Sequence, residues 1–125
     1  MTAGLAAAHA NSLLGVFRNT SYTGVNVFVK LHTGDPGSAG TANVSAVTTR
    51  NQVTFNAPSA GSMTLSSLSG YSMTATETIT HISLWDASSA GTFVDSVALS
   101  ASKPVTNGDT LTLTTLTIGF TPIAA

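Results

Sequence analysis

The chain contains no cysteine and very few charged residues, and both features exclude particular kinds of site and partner. Without cysteine, a disulfide framework and a thiolate zinc site are excluded. The lack of disulfides suits a protein made in a reducing cytoplasm. Only 7% of the 125 residues are charged, and the net charge is -1. Such a chain has no electrostatic footprint for nucleic acid or for an anionic membrane, so we expect neither among its partners.

Serine and threonine provide most of the polarity, with 37 of the 125 residues. Threonine favours β-strands because its methyl group packs on a pleated surface while its hydroxyl group stays hydrogen-bonded. A chain of this length forms one domain with one core. A monomer with so few charges is poorly protected against association, so we expect much of its surface to lie against partner proteins.

Residues 2–17 form the only stretch with a convincing helical pattern. Thr2 can cap its first turn, and Asn19 suits the left-handed conformation that ends a helix. The same stretch lacks the basic start of a signal peptide, and His9 and Asn11 interrupt its apolar run. It is also too short and too polar to span a bilayer. We therefore expect it to be part of the mature structure.

An apolar stripe follows one face of this predicted helix. Residues four positions apart lie on the same side of an α-helix, and this spacing is shared by Leu5, His9, Leu13 and Phe17, with Ala6, Ala10 and Leu14 beside them. A helix of about four turns is marginal alone, so the stripe packs either on its own domain or on a neighbouring subunit. Within a single domain, we expect residues 1–20 to form an N-terminal helical arm and residues 21–125 a β-sandwich.

Alternating apolar residues predict several β-strands after the helix. Val25, Val27, Val29 and Leu31 share one face of a predicted strand, with Phe28 and polar residues on the other. Residues 77–86 form a second strong strand whose apolar residues occupy both faces. Gly, Pro and Ser separate these and other short runs. The pattern predicts a mainly β fold, an antiparallel β-sandwich or barrel of about 7–8 strands with one N-terminal α-helix. The candidate core residues are Val27, Val29, Leu31, Leu84 and Trp85.

The C-terminal half is less regular. Residues 62–65 and 70–74 predict two weak strands arranged as a hairpin. Asn107–Asp109 predicts a turn before a last strand over residues 110–120. The apolar pattern of that strand slips at Thr114–Thr115, which indicates either a β-bulge or a strand buried on both faces.

Residues that could carry chemistry are few and scattered. The three histidines lie on different predicted elements without ligand spacing, and no Gly-x-Ser-x-Gly motif accompanies the many serines. Four aspartates near predicted loops are better explained as turn formers than as calcium ligands. We therefore predict no catalytic residue, no cofactor, no metal site and no enzyme activity. The three histidines are His9, His32 and His81, and the four aspartates are Asp35, Asp86, Asp95 and Asp109.

Three motifs follow one another along the chain. Leu31–Gly37 is Leu-His-Thr-Gly-Asp-Pro-Gly, Thr80–Ala87 is Thr-His-Ile-Ser-Leu-Trp-Asp-Ala, and Val105–Leu111 is Val-Thr-Asn-Gly-Asp-Thr-Leu. Over roughly residues 20 to 120, this ordered set resembles a family of small virion proteins of tailed bacteriophages. Members of that family are described as tail fibre, minor tail or minor capsid proteins.

The resemblance implies a structural protein of the virion, made in the host cytoplasm. We expect a capsid decoration or minor capsid protein that binds the surface of the assembled shell and stabilises it. Its partners would be the major capsid protein and copies of itself in a homotrimer, with Leu5, Leu13 and Phe17 at the subunit or shell interface. The alternative is a minor tail or tail-fibre component involved in host attachment, with tail proteins as partners. A secreted adhesin or carbohydrate-binding module is more remote.

Overall fold

The computed structural model describes residues 3–119, in which one short helix precedes eight β-strands. The helix α1 spans Ala7–Gly15 and continues into a single 3-10 turn at Val16–Arg18. The strands are β1 Val27–His32, β2 Asn51–Phe55, β3 Ser62–Leu68, β4 Tyr71–Ser72, β5 Glu77–Trp85, β6 Phe93–Val105, β7 Thr110–Leu111 and β8 Thr117–Gly119. The predicted mainly β fold with one N-terminal helix is confirmed.

Six strands form one antiparallel sheet in the order β6-β5-β1-β2-β3-β8, and β4 pairs with β7 in a small second sheet. In the register of β1 and β5, Leu31 lies opposite Ile82 and Phe28 lies opposite Trp85. Directly opposed residues of antiparallel strands share a face. Leu31 and Ile82 therefore lie on the inner face of the large sheet, and Phe28 and Trp85 lie on the outer face.

The main core lies between the large sheet and the small one. Val29, Leu31 and Leu84 are buried on the inner face of the large sheet, and Val27 is partly buried beside them. Both sheets contribute to this one cluster, so the fold is a two-layered sandwich with one core. The other buried members are Val47, Val53, Tyr71, Met73, Ile79, Ile82, Val94, Val105, Leu111 and Leu116.

Tyr71 connects the two layers. Its side chain is buried, and its hydroxyl group donates to the carbonyl oxygen of Val29 at 2.5 Å. Burial raises the pKa of Tyr71 to about 12, so the phenol retains the proton with which it donates this bond. The hydrogen bond ties the small sheet to a strand in the middle of the large one.

The N-terminal segment pairs with the edge of β6. In residues 3–6, called the arm below, the amide N–H of Ala6 donates to the carbonyl oxygen of Val94 at 2.9 Å. The N–H of Ser96 in turn donates to the carbonyl oxygen of Gly4 at 2.9 Å. The arm therefore covers an edge that would otherwise be open to pairing with other chains. A second, smaller buried cluster at this edge consists of Ala6, Trp85 and Phe93.

The helix is shorter than the sequence predicts. It begins at Ala7 rather than at residue 2, because the backbone groups of the arm pair with β6 instead of forming helical turns. The N-cap is Ala6, without a side-chain cap; the predicted cap, Thr2, lies outside the described residues. The end is as predicted, since Asn19 is left-handed with φ of 61° and its N–H donates to the carbonyl oxygen of Val16.

The predicted hairpin of residues 62–65 and 70–74 is wrong. Residues 62–65 belong to β3, which pairs with β2 and β8, whereas β4 pairs with β7. The physical reason is the burial of Tyr71. Its hydroxyl group reaches Val29 only because β4 leaves the large sheet and joins the second layer.

The single last strand predicted over residues 110–120 is also wrong. It is split into β7 and β8, and Thr114–Thr115 lies between them where the chain leaves the small sheet and joins the large one. Leu111 and Leu116 are both buried in the main core. The change in apolar pattern therefore marks this crossing, not a β-bulge or a doubly buried strand. Residue 120 lies outside the described residues.

Candidate interaction surface

The helix α1 lies at the edge of the sheet and buries none of its own residues. Its main contacts with the sheet are with β6, to which the preceding arm is hydrogen-bonded. The alanines at positions 7, 8 and 10 favour helix formation, and Asn19 ends the helical segment. The fold therefore holds the helix in place while leaving a large part of its surface exposed.

An open hollow of about 690 Å³ lies along the exposed side of the helix. Phe17 is 91% exposed, Leu14 62% and Val16 54%. Large apolar side chains that are this exposed, and grouped on one face, are typical of a surface that another protein covers. The residues that line it, called the apolar hollow below, are Leu5, Ala10, Leu13, Leu14, Val16 and Phe17.

The structure brings the three predicted interface residues together in the apolar hollow. Leu13 and Phe17 come from the helical segment, whereas Leu5 reaches it from the extended arm. The sequence analysis missed Val16, because its stripe assumes a regular α-helix. The 3-10 turn at Val16–Arg18 winds more tightly and adds Val16 to the same surface. The run of apolar residues before Arg18 is the signal that could have found it.

His9 belongs to the predicted stripe but does not line the apolar hollow. Its Nδ1 atom lies 2.6 Å from the hydroxyl oxygen of Tyr22, and the two rings meet edge to face with centroids 5.4 Å apart.

All six lining residues of the hollow are apolar. A partner would therefore gain binding energy by removing apolar surface from water, at roughly 25 cal/mol per Å², and not through ion pairs.

A second group of functional side chains lies inside the fold. His32 and Ser83 are both 0% exposed, and His32 Nε2 lies 2.7 Å from Ser83 Oγ. His32 Nδ1 lies 2.8 Å from the carbonyl oxygen of Ala42, and the indole N–H of Trp85 donates to Ser83 Oγ at 2.7 Å. These four residues, called the His32 network below, join β1, β5 and the loop that follows β1. The sequence analysis did not find this network.

The His32 network differs from a catalytic serine–histidine pair. In a hydrolytic triad the second ring nitrogen donates to a carboxylate, whereas His32 Nδ1 lies against the carbonyl group of Ala42. Burial lowers the pKa of His32, which keeps the ring neutral. Because Ser83 Oγ is buried as well, the network is placed to hold the loop against the sheet rather than to meet a reactant.

The aspartates act mainly in backbone turns. Asp35, Asp86 and Asp109 each accept a backbone N–H of a neighbouring turn residue, at 2.8, 2.6 and 2.8 Å. Asp95 is the third residue of β6, close to the loop that precedes this strand. Within residues 3–119, no three His, Asp or Glu side chains lie close enough together to hold a metal ion. In the same range, no helix has the length and apolar character needed to cross a bilayer.

Comparison with known proteins gives one family. The model of the family described as podophage GP4 fiber I protein gp80 matches residues 4–121. The match therefore spans nearly the whole chain, including most of the arm, the apolar hollow and the His32 network. No curated protein matches the chain.

Proposed function

The chain belongs to the family of the podophage GP4 fiber I protein gp80, and on this basis we propose that it is a structural component of a phage tail fibre. Family membership supports a structural protein of the bacteriophage virion. Within the virion, the fibre takes precedence over the capsid surface that the sequence analysis favoured, because the family is described by a fibre protein. Capsid decoration becomes the competing outcome of the test below.

The exposed apolar hollow is the feature that best supports a structural role. A component of a virion must be held by its neighbours, and this chain has few charges with which to do so. Phe17, at 91% the most exposed large apolar side chain among the described residues, lies in a surface lined by apolar residues alone. Aromatic anchors in such a surface provide much of the binding energy of protein interfaces.

The expected partners are copies of the same chain and a neighbouring tail protein. Closed symmetric assemblies bury the same patch on every copy, and the apolar hollow could serve as that patch. The sequence analysis expects a homotrimer because trimers suit the three-fold positions of an icosahedral shell; for a fibre component, the number of copies has to be measured. The role proposed is structural, without catalysis, cofactor or nucleic-acid binding.

A binding experiment with separated heads and tails tests this function. Purified protein is incubated with tails and with heads that lack it, across a salt series. Phe17→Asp places a carboxylate in the apolar hollow, and Ser66→Asp places one on an exposed position of β3 as a matched control. We expect binding to tails that Phe17→Asp weakens by about 2 kcal/mol or more and that Ser66→Asp leaves unchanged.

The outcomes distinguish the position of the chain in the virion from the role of the apolar hollow in binding. Binding to tails should persist in high salt, because screening acts on charge pairs and not on apolar contacts. Binding to heads alone would contradict the fibre role and support capsid decoration. Binding to tails that Phe17→Asp and Ser66→Asp weaken equally would contradict the role of the apolar hollow while leaving the fibre position intact.

A further inference from the structure

His32 lies where three segments of the chain meet. It is completely buried, whereas His9 and His81 are partly exposed. On the backbone, His32 pairs with His81 of β5 and forms a bridge with Val44 in the loop after β1. Its side chain connects the same segments through Ser83 and the carbonyl group of Ala42. A change in the protonation of His32 therefore acts on all three at once.

The hydrogen bonds of the His32 network give every polar group a partner when the ring is neutral. The carbonyl oxygen of Ala42 can only accept, so Nδ1 carries the proton and Nε2 is the acceptor. Ser83 then donates its hydroxyl proton to Nε2, while its oxygen accepts the indole N–H of Trp85. A proton on Nε2 would replace this acceptor by a donor. The hydroxyl proton of Ser83 would then lack a partner in a buried site, which is costly.

Trp85 links this network to the arm. Its ring centroid lies 5.6 Å from that of Phe93, and Ala6 of the arm packs in the same small cluster. The guanidinium group of Arg50 lies 3.9 Å from the centroid of the Trp85 ring system. The indole is therefore held by Ser83, Arg50 and the residues under the arm. A shift of the indole would displace the surface on which Ala6 packs.

The surroundings of His32 oppose a proton on its ring. Burial has the largest effect in lowering the pKa of His32, and the charges of Lys30 on β1 and His81 on β5 lower it further. The carbonyl groups of Ala42 and Asn43 in the loop act in the opposite direction and raise it. The folded state therefore lowers the pKa of His32 below its ordinary value of 6.5, and the ring takes up a proton less readily than in the unfolded chain.

The nearby carboxylates have other hydrogen-bond partners. Asp35, in the loop after β1, accepts the N–H of Gly37. Glu77, at the start of β5, accepts the hydroxyl proton of Ser45 at 2.5 Å and the N–H of Ala46 at 3.0 Å. Both carboxylates are therefore hydrogen-bonded to groups of the loop after β1, and the side-chain partner of His32 Nε2 is Ser83.

We propose that protonation of His32 releases the arm from β6 while the large sheet remains folded. The proton turns Nε2 from an acceptor into a donor, so the hydroxyl proton of Ser83 loses its acceptor. Ser83 then rearranges, the indole of Trp85 whose N–H it accepts moves, and Ala6 loses its packing. The arm carries Leu5 and leads directly into α1, so its release also disassembles the apolar hollow. Acid would thereby loosen the interaction surface before it unfolds the domain. This inference does not depend on the position of the chain in the virion.

The test uses the full chain, in which Trp85 is the single tryptophan. Its fluorescence emission is recorded from about pH 7.5 down to about pH 4.5, across the range in which histidine titrates. Amide hydrogen exchange is measured for Ala6 and Ser96, whose N–H groups bond the arm to β6. His32→Gln supplies an uncharged amide in place of the ring, and His9→Gln on α1 is the matched control.

We expect an emission change with a midpoint below pH 6.5 in the natural chain and in His9→Gln, and none in His32→Gln. At about pH 5, exchange at Ala6 and Ser96 should be at least about tenfold faster in the natural chain than in His32→Gln, because exchange follows the population of the released arm. Exchange of the Ile82 amide, in the middle of the sheet, should stay equally slow in both proteins.

Three results would overturn the proposal. A transition that persists in His32→Gln would assign it to another group, and one that vanishes in His9→Gln would assign it to His9. Equal acceleration of exchange at Ile82 and Ala6 would show unfolding of the whole domain. If His32→Gln does not fold, Ser83→Ala removes only the link between His32 and Trp85. It should abolish the emission change, and an unchanged emission transition in Ser83→Ala would equally contradict the mechanism.

Discussion

Gly40 is the position at which a single methyl group should reveal how closely the loop after β1 packs on the sheet. The residue is buried, with φ of +71°, and a Cβ atom added there would lie 2.6 Å from Cδ1 and 2.8 Å from Cγ of the Phe93 ring. Phe93 has little room to move, because its ring packs with Trp85 and Ala6 in the small buried cluster. Gly40→Ala should therefore force the loop and the sheet apart.

Gly37 in the same loop provides a matched control. Its φ is +76°, but a Cβ atom there would lie 3.8 Å from the Cβ atom of Ala42, an ordinary contact. Both substitutions place alanine in a left-handed conformation, which costs roughly 1–2 kcal/mol. Only Gly40→Ala adds overpacking, which costs about 1–3 kcal/mol in a closely packed site. The difference between the two variants isolates the contact with Phe93.

Equilibrium unfolding in urea, followed by far-UV circular dichroism, measures both variants. We expect Gly40→Ala to be less stable than Gly37→Ala by about 1–3 kcal/mol. A Gly40→Ala protein that is as stable as Gly37→Ala would refute the close packing of the loop on Phe93. It would also weaken the account of the small cluster beneath the arm.

Three further predictions concern the core and the buried polar groups. Leu84→Ala should cost about 2–5 kcal/mol in thermal unfolding, whereas Leu14→Ala, at a 62% exposed position, should change stability by less than about 0.5 kcal/mol; equal effects would contradict the register of β5. Tyr71→Phe removes the buried hydrogen bond to Val29 and should cost about 0.5–1.5 kcal/mol in urea unfolding; no loss would contradict its role between the layers. The free energy of unfolding should fall as the pH drops below 6.5, because the unfolded chain takes up the His32 proton more readily than the folded one. Urea titrations at several pH values should show that His32→Gln lacks this component, and an unchanged pH slope would contradict it.

Local pattern was sufficient for the strands that form the middle of the sheet. The alternation from Val25 to Leu31 corresponds to β1 at Val27–His32, and the prediction over residues 77–86 corresponds to β5 at Glu77–Trp85. In β1 the apolar residues Val27, Val29 and Leu31 recur at every second position, whereas β5 is recognisable from a dense run of β-branched and apolar residues on both faces. The turn at Asn107–Asp109 was also predictable, since Gly108 has φ of +95° and glycine adopts that conformation without strain.

The sequence pattern could not predict contacts between segments that lie far apart along the chain. His32 and Ser83 are 51 positions apart, and nothing in their surroundings along the chain marks them as partners. The arm was predicted as part of the helix because Leu5 fits the apolar stripe, but hydrogen bonds to Val94 and Ser96 in β6 decide its conformation. The split between β7 and β8 likewise depends on two sheets, whereas apolar periodicity reports on one strand at a time.

The position of the chain on the virion is the most direct test of its proposed role. Purified virions are labelled with gold-conjugated antibodies raised against the chain and examined by electron microscopy, with antibodies against the major capsid protein as the control for labelling of the head. We expect gold particles on the tail at the fibres, with heads labelled only by the control antibody. Gold distributed over the head shell, with unlabelled tails, would contradict it.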